Sequence, residues 1–337
     1  MTEINVGIIG TGNWGKNHVR NFQNTKNCRL VACCDSDEQK LNAVKAVSPS
    51  IKLFTDYHEF LSYADIDAVV IASSAVTHYM MAMDALNCGK HVFVEKPMAM
   101  HAKEALDMTN LAREKGLTLM VGHLLEYHPA VEKLKELIDS GDIGDVYYIY
   151  SQRVNLGVIR SEENALWSFA PHDISIILYL LNEEPESVSA RGASFLQKNL
   201  EDVVFVNLKF KSGKMANIQL SWLDPHKIRK TTIVGSKKMV VFDDVEPLEK
   251  IKIYDKGVNY KPAIVGYHEI FEIRTGDIWI PKINLKEPLK FEADHFIDCI
   301  IGKKTPRSDG MDGLRVTKVL EAAQQSMENN GDVIYIN

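Results

Sequence analysis

The apolar run Ile4–Ile9 ends on Gly10-Thr11-Gly12-Asn13-Trp14-Gly15, and a segment of helical character, Asn13 to Gln23, follows. Glycines at this spacing, between a strand and a helix, constrain the fold more than any other feature of the chain. Gly10 permits a tight turn, Gly12 lets a ligand approach the backbone, and Gly15 lets the helix pack closely on the strand. The helix N-terminus then offers backbone N–H groups to an anion. A six-residue apolar run is a strand buried on both faces, so it belongs inside a parallel sheet. The loop suits the pyrophosphate of a dinucleotide, with Gly10, Gly12, Asn13, Trp14 and Gly15 around it.

The rest of the first 122 residues repeats the alternation. Leu30–Cys34 reads as a strand ending at Asp35, and Glu38–Val47 as a helix stopping before Pro49. Asp67–Ala72 is the next clear strand, with a helix over roughly Val76–Cys88 that Gly89 closes. His91–Glu95 is a strand, Ala102–Lys115 a helix ended by Gly116, and Leu117–Val121 a last strand. Strands alternating with helices of this length predict a doubly wound parallel sheet, an α/β Rossmann domain over residues 1–122.

The pattern changes after about residue 123. A helix over Pro129–Ser140 precedes a long strand, Asp145–Val154, and a further helix lies near Pro171–Leu181. Val203–Phe210 and Met215–Trp222, then Thr231–Val234 and Met239–Phe242, read as antiparallel hairpins around short glycine-containing turns. Helical stretches near Phe291–Ile301 and Leu314–Met327 close the chain. Residues 123–337 are therefore predicted to form an α+β domain with an open, mostly antiparallel sheet. A length of 337 residues fits two domains.

The net charge of −6 argues against nucleic acid as a partner, because phosphate binding needs clustered basic surface. Five cysteines, with Cys33 and Cys34 adjacent and no C-x-x-C pair, read as reduced core thiols without metal-ligand spacing. No apolar run approaches ~18 residues, so no membrane span is expected. The N-terminus lacks the regions of a signal peptide, and a cytoplasmic location follows by default.

Asp35 stands 20 residues after Gly15, at the end of the second strand. A carboxylate there suits the adenine ribose hydroxyls and repels a 2′-phosphate, which favours NAD over NADP. The alternative is a helix N-cap. Ser73, Ser74 and His78 follow a strand end facing the ligand crevice, although Ser74 suits a helix cap equally well. Glu95-Lys96-Pro97 ends another strand at the same edge. Pro97 stops the strand. A lysine there can hold a substrate hydroxyl, and burial near a cationic nicotinamide aids its proton exchange. The plainer reading is a solvated surface lysine.

Gly10–Gly15, Asp35 and above all Glu95-Lys96-Pro97 resemble the Gfo/Idh/MocA oxidoreductase family. Gly141-Asp142-Ile143-Gly144 and Ser308-Asp309-Gly310 extend the resemblance over nearly the whole chain. It implies a catalytic Lys96, with Glu95 lining the nicotinamide site. It also implies a second-domain Asp-x-x-x-His helix. Here that stretch is Trp167-Ser168-Phe169-Ala170-Pro171-His172-Asp173. His172 takes the histidine position and Ser168 replaces the aspartate, which leaves Lys96 and His172 as the implied catalytic pair and brings in Asp173 or water for the relay. Without the resemblance, His172 reads as a local packing residue. His123 falls where the family places a polar residue near substrate, and either that or packing fits it.

The segment around Trp167 is most similar to members that oxidise C3 of UDP-N-acetylglucosamine to a ketone. Arg153 and Arg160, with Asn155 between them, offer guanidinium forks to a diphosphate; solvated surface arginines are the alternative. A free polyol or monosaccharide of the inositol type is the competing substrate, and a dinucleotide sensor without chemistry the competing class. The open sheet needs its second face covered, which predicts a homodimer or homotetramer.

Overall fold

A computed structural model describes residues 3–260 and 271–336. Met1 and Thr2, part of the N-terminal reading, lie outside them. The chain divides into two compact units, Met1–Tyr127 with Lys286–Glu321, and His128–Leu285 with Ala322–Asn337.

Unit 1 opens with β1 (Ile4–Ile9), α1 (Gly15–Gln23), β2 (Cys28–Cys34), α2 (Glu38–Val47), β3 (Lys52–Phe54) and α3 (Tyr57–Leu61). It continues with β4 (Ala68–Ile71), α4 (His78–Asn87), β5 (His91–Glu95), α5 (Ala102–Glu114) and β6 (Leu119–Gly122). The sheet runs β3-β2-β1-β4-β5-β6, with every pair parallel. The order reverses between β1 and β4, and ligands of such sheets lie at that reversal, outside the strand carboxyl ends. β4 and β6 are buried at every residue, as strands covered on both faces must be. β3 and α3 went unread in the sequence: three and five residues are too few to show a period.

Unit 2 holds α6 (Pro129–Asp139), β7 (Val146–Val154), α7 (Ala165–Leu181), β8 (Pro185–Ala193), β9 (Val203–Phe210), β10 (Met215–Ser221) and β11 (Ile228–Gly235). β12 (Met239–Asp243), β13 (Ile251–Tyr260), β14 (Phe271–Trp279) and, at the end of the chain, β15 (Ile334–Tyr335) complete it. They form a nine-stranded sheet, antiparallel except where β7 pairs β10. One face buries Ile149, Val206, Leu208, Ile218 and Ile233, while the other exposes Tyr148, Tyr150, Phe205 and Met215. α7 starts at Ala165, six residues before the predicted start. Asn164 caps it by accepting from the Trp167 N–H at 3.2 Å, and the helix runs through Pro171. The turn Gly141–Gly144 needs its glycines: Gly144 has φ +78, and a Cβ there would lie 2.3 Å from Ser236 Oγ.

The sequence division puts residues 123–337 together; the structure gives Lys286–Glu321 to unit 1. This return contains α8 (Pro288–Gly302) and the first part of α9 (Gly310–Glu328). α8 packs Phe296 against both Phe22 and Phe93, with ring centroids 6.4 and 5.7 Å away. Ala293, Phe296, Ile297 and Ile300 thereby complete one core layer of the parallel sheet. Ser308-Asp309-Gly310 docks the following segment: Ser308 Oγ donates to the Val121 carbonyl at 2.7 Å, and Asp309 accepts from the Asp312 N–H at 2.9 Å. All five cysteines are free, but Cys88 is exposed and Cys28 half-buried, which corrects their reading as uniformly core thiols. Among the described residues, no helix is long and apolar enough to cross a membrane.

Candidate active site

A hollow of about 370 Å³ at the β1/β4 reversal is lined by Gly10, Gly12, Asp35, Lys40, Ser73 and Ser74, among others. Five of the sequence-predicted cofactor residues thus meet in one place. The glycines divide their tasks as expected. Gly10 has φ +88, and a Cβ there would press on Ala72 O at 2.6 Å. A Cβ on Gly15 would sit 1.9 Å from Gly10 O, whereas one on Gly12 would meet nothing within 4 Å. Gly12 is therefore bare toward the side where a phosphate would lie, and the loop fits a dinucleotide.

Asp35 is not a helix cap; Asp37 caps α2 instead, accepting from the Gln39 N–H at 2.9 Å. The Asp35 carboxylate accepts from the Thr11 N–H at 2.7 Å and the Asp37 N–H at 3.0 Å. Burial alone would raise its pKa, but these two N–H groups and Lys40 outweigh it and hold the acid below its ordinary range. Lys40 Nζ stands 3.6 Å from Asp35 Oδ1. Sequence reasoning missed Lys40, although a basic residue in the helix after the acidic one was available as a signal. Ser73 Oγ shares a hydrogen bond with Thr77 Oγ1 at 2.8 Å. Ser74 precedes the 3-10 turn Ala75–Thr77 without a side-chain cap bond.

At the end of β5 the Glu95 carboxylate is buried and heavily bonded. Oε1 accepts from Trp14 Nε1 at 2.5 Å and lies 2.7 Å from His18 Nε2, and Oε2 accepts from the Lys96 N–H at 3.2 Å. Burial opposes its charge, yet the bonds from His18 and Trp14 and the charge of Lys96 keep its pKa below the ordinary value. The Lys96–Pro97 peptide is cis. His78, expected beside the cofactor, is 1% exposed and faces the main chain: Nδ1 lies 2.8 Å from Pro97 O and Nε2 3.3 Å from Ser73 O. Burial lowers its pKa, and the neutral ring, with one N–H, donates to only one of these two carbonyls. Asn13 is exposed and offers its carbonyl to Asn17 Nδ2 at 3.4 Å.

His123, expected near substrate, is buried. Its Nδ1 lies 2.6 Å from Asp312 Oδ2 and 3.4 Å from Glu126 Oε1. Burial would lower its pKa, but bonding to Asp312 and Glu126 pushes it up to about 10. Burial, and repulsion by Asp312, push Glu126 up to about 8. Neither oxygen of the buried Glu292 on α8 finds a hydrogen-bond partner among the described residues. Burial and the charge of Glu95 drive its pKa well above the ordinary value. Glu126 lies three residues from His123, but Glu292 and Asp312 come from α8 and α9, far along the chain, and no spacing near His123 pointed to them.

In unit 2, α7 carries Ser168 and His172 four residues apart, hence on one helical face. Ser168 is buried and His172 half-buried. Arg153, offered to a diphosphate, is buried against Asp173, with Nε 2.5 Å from Oδ2. Each therefore neutralises the other inside the unit. Arg160 is exposed and pairs with Glu163 at 2.8 Å. Asn155 is half-buried, its N–H bonded to Ser221 O at 3.1 Å. Trp167 is buried and donates Nε1–H to Gln324 Oε1 at 3.3 Å, a packing role.

Residues 4–123 match the oxidoreductase family with an NAD-binding Rossmann fold, GFO/IDH/MocA, and residues 131–241 match the GFO/IDH/MocA C-terminal domain. The chain is 25% identical to the UDP-N-acetylglucosamine 3-dehydrogenase of Acidithiobacillus ferrooxidans, covering 94% of this chain and 95% of that one. It is 24% identical to the myo-inositol 2-dehydrogenase of Thermotoga maritima, covering 98% of each. The scyllo-inositol dehydrogenase of Lactobacillus casei, solved with NAD(H) and scyllo-inositol, superposes with a TM-score of 0.80 at 23% identity over 99% of each chain.

Proposed function

The chain belongs to the GFO/IDH/MocA family of NAD-binding oxidoreductases, and on that premise we propose that it oxidises a secondary hydroxyl of a sugar to a ketone. The observation that carries the reading is the placement of Lys96: it ends a strand at the same sheet edge as the glycine loop, with its N–H fixed on Glu95. NAD, when bound, supplies the hydride acceptor. Lys96 holds the reacting hydroxyl and accepts its proton. In unit 2, His172 is the second proton-handling side chain on the family resemblance, while Asp173 is committed to Arg153.

C3 of UDP-N-acetylglucosamine or a related UDP-sugar is the first substrate to test, supported by the likeness to the Acidithiobacillus enzyme. A second reading, a free polyol or monosaccharide, gains from the burial of Arg153, which leaves Arg160 as the exposed guanidinium of the two. A substrate panel read by NADH absorbance separates them: turnover of inositols without UDP-sugars selects the second. Lys96→Ala should lose at least about a hundredfold in turnover with NAD affinity kept, since general-base steps are worth ~10²–10⁴. Undiminished turnover refutes the catalytic role, and NAD binding by a wild type inert toward every sugar points to the sensor reading.

A homodimer or homotetramer is proposed over the outward face of the nine-stranded sheet, where Tyr148, Tyr150, Phe205 and Met215 are exposed. Light scattering decides this, and a strict monomer counts against it.

A further inference from the structure

We propose that Glu95 is a positioning residue whose carboxylate clamps the phosphate-binding turn to the end of β5, so that the cofactor loop and Lys96 move as one piece. The inference rests on the reading of Lys96 as the proton-transfer group.

The loop follows β1 and Lys96 follows β5, yet β4 lies between these strands, so no sheet ladder joins the two. Glu95 makes the connection with its side chain. From the loop side it accepts Trp14 Nε1–H, at the last position before Gly15, and contacts His18 one turn into α1. From its own strand end it accepts the Lys96 N–H. His18 Nδ1 has no partner among the described residues, which assigns the ring proton to Nε2 and makes His18 a donor to Glu95. Across the β5–β6 register Glu95 faces Gly122. A Cβ at Gly122 would stand 3.0 Å from the carboxyl carbon and from each of its oxygens, so a glycine makes the room the carboxylate occupies.

A buried carboxylate is tolerated only where donors replace its water. Here the donors are the two ends of the crevice floor, so solvation of the charge and alignment of the site are one set of bonds. The charged and titratable groups around it are His18 on α1, Lys96 beside it, His78 on α4 and Glu292 on α8. Glu95 is the anion next to Lys96 in this set, and Glu95→Gln removes that charge.

The test uses Glu95→Gln, Trp14→Phe and the double variant of the full-length protein. NADH affinity is read by titration, and kcat, KM and the pH profile by turnover. Loss of a charge-assisted bond should weaken NADH binding about tenfold in each single variant. The double variant should fall short of the two single effects combined, because both changes act on the Trp14–Glu95 bond, one taking its charge and the other its donor. Trp14→Phe should lower kcat several-fold with the sugar KM unchanged. Glu95→Gln alone should also move the acid limb of kcat/KM to lower pH, an effect that mere packing does not produce. Wild-type NADH affinity in Glu95→Gln, additive effects in the double variant, or an unmoved acid limb each overturn the clamp. If Glu95→Gln does not fold, Glu95→Asp replaces it with the same binding expectations. If the wild type turns over no sugar, the dehydrogenase reading fails, but the affinity cycle still decides the clamp.

Discussion

Replacing Glu126 by glutamine should stabilise unit 1, and more so as the pH rises. Glu126 is 1% exposed beside His123 and Asp312, and its folded pKa is pushed from 4.5 up to about 8. The unfolded chain ionises it near the ordinary value. The folded state therefore binds an extra proton between these limits. Its contribution is fully present below about pH 4.5 and is lost as the pH rises through about 8, at ~1.4 kcal/mol per pH unit. His123, raised from 6.5 to about 10, acts in the same direction over a higher window: its contribution is complete below 6.5 and lost through about 10. Glutamine keeps the shape of the neutral acid and its donor toward Asp312, with no proton to retain. At neutral pH, Glu126→Gln should thus gain on the order of 3 kcal/mol over wild type, and the gap should close near pH 4.5. Urea unfolding of both proteins across that range measures it. A variant less stable than wild type near pH 8, or a difference constant with pH, refutes the argument.

Arg153→Met leaves Asp173 buried and uncompensated, which should cost ~3–5 kcal/mol in thermal unfolding; restoring much of it with Asp173→Leu would identify the pair, not the arginine, as the cause. Asp35→Ser should weaken NAD about tenfold and narrow the preference over NADP in calorimetric titration, with an unchanged preference counting against its ribose role. Gly12→Ala should fold like wild type but bind NAD at least about tenfold worse, because its Cβ meets no protein atom within 4 Å and would stand where the phosphate approaches the backbone. Gly15→Ala should instead lower the melting temperature, since its Cβ meets Gly10 O; a well-folded Gly15→Ala would contradict the packing.

Much of the parallel sheet was legible because its strands are buried on both faces and read as unbroken apolar runs; β1, β5 and α2 fall on the predicted residues. α7 was misplaced because Pro171 resembles a helix start, while the cap lies at Asn164. The long exposed strand β14 carries no buried stripe to mark it. Within the site, Gly10–Gly15, Asp35 and Glu95-Lys96-Pro97 declare themselves through local spacing. Arg153 and His123 do not, because Asp173 and Asp312, which decide their environments, lie 20 and 189 residues away. A polar side chain with a distant partner looks the same in sequence as one awaiting a ligand.

The return of α8 into the first unit dictates an order of events at the ribosome. When Tyr127 has been synthesised, all six strands of the parallel sheet exist, but Phe22 and Phe93 still lack the ring that covers them. The whole of His128–Leu285 must be made before Phe296 arrives. The nascent cofactor domain is thus an unfinished half, with an apolar face open to chaperones, and a gene cut after Tyr127 encodes that intermediate rather than a small NAD-binding protein.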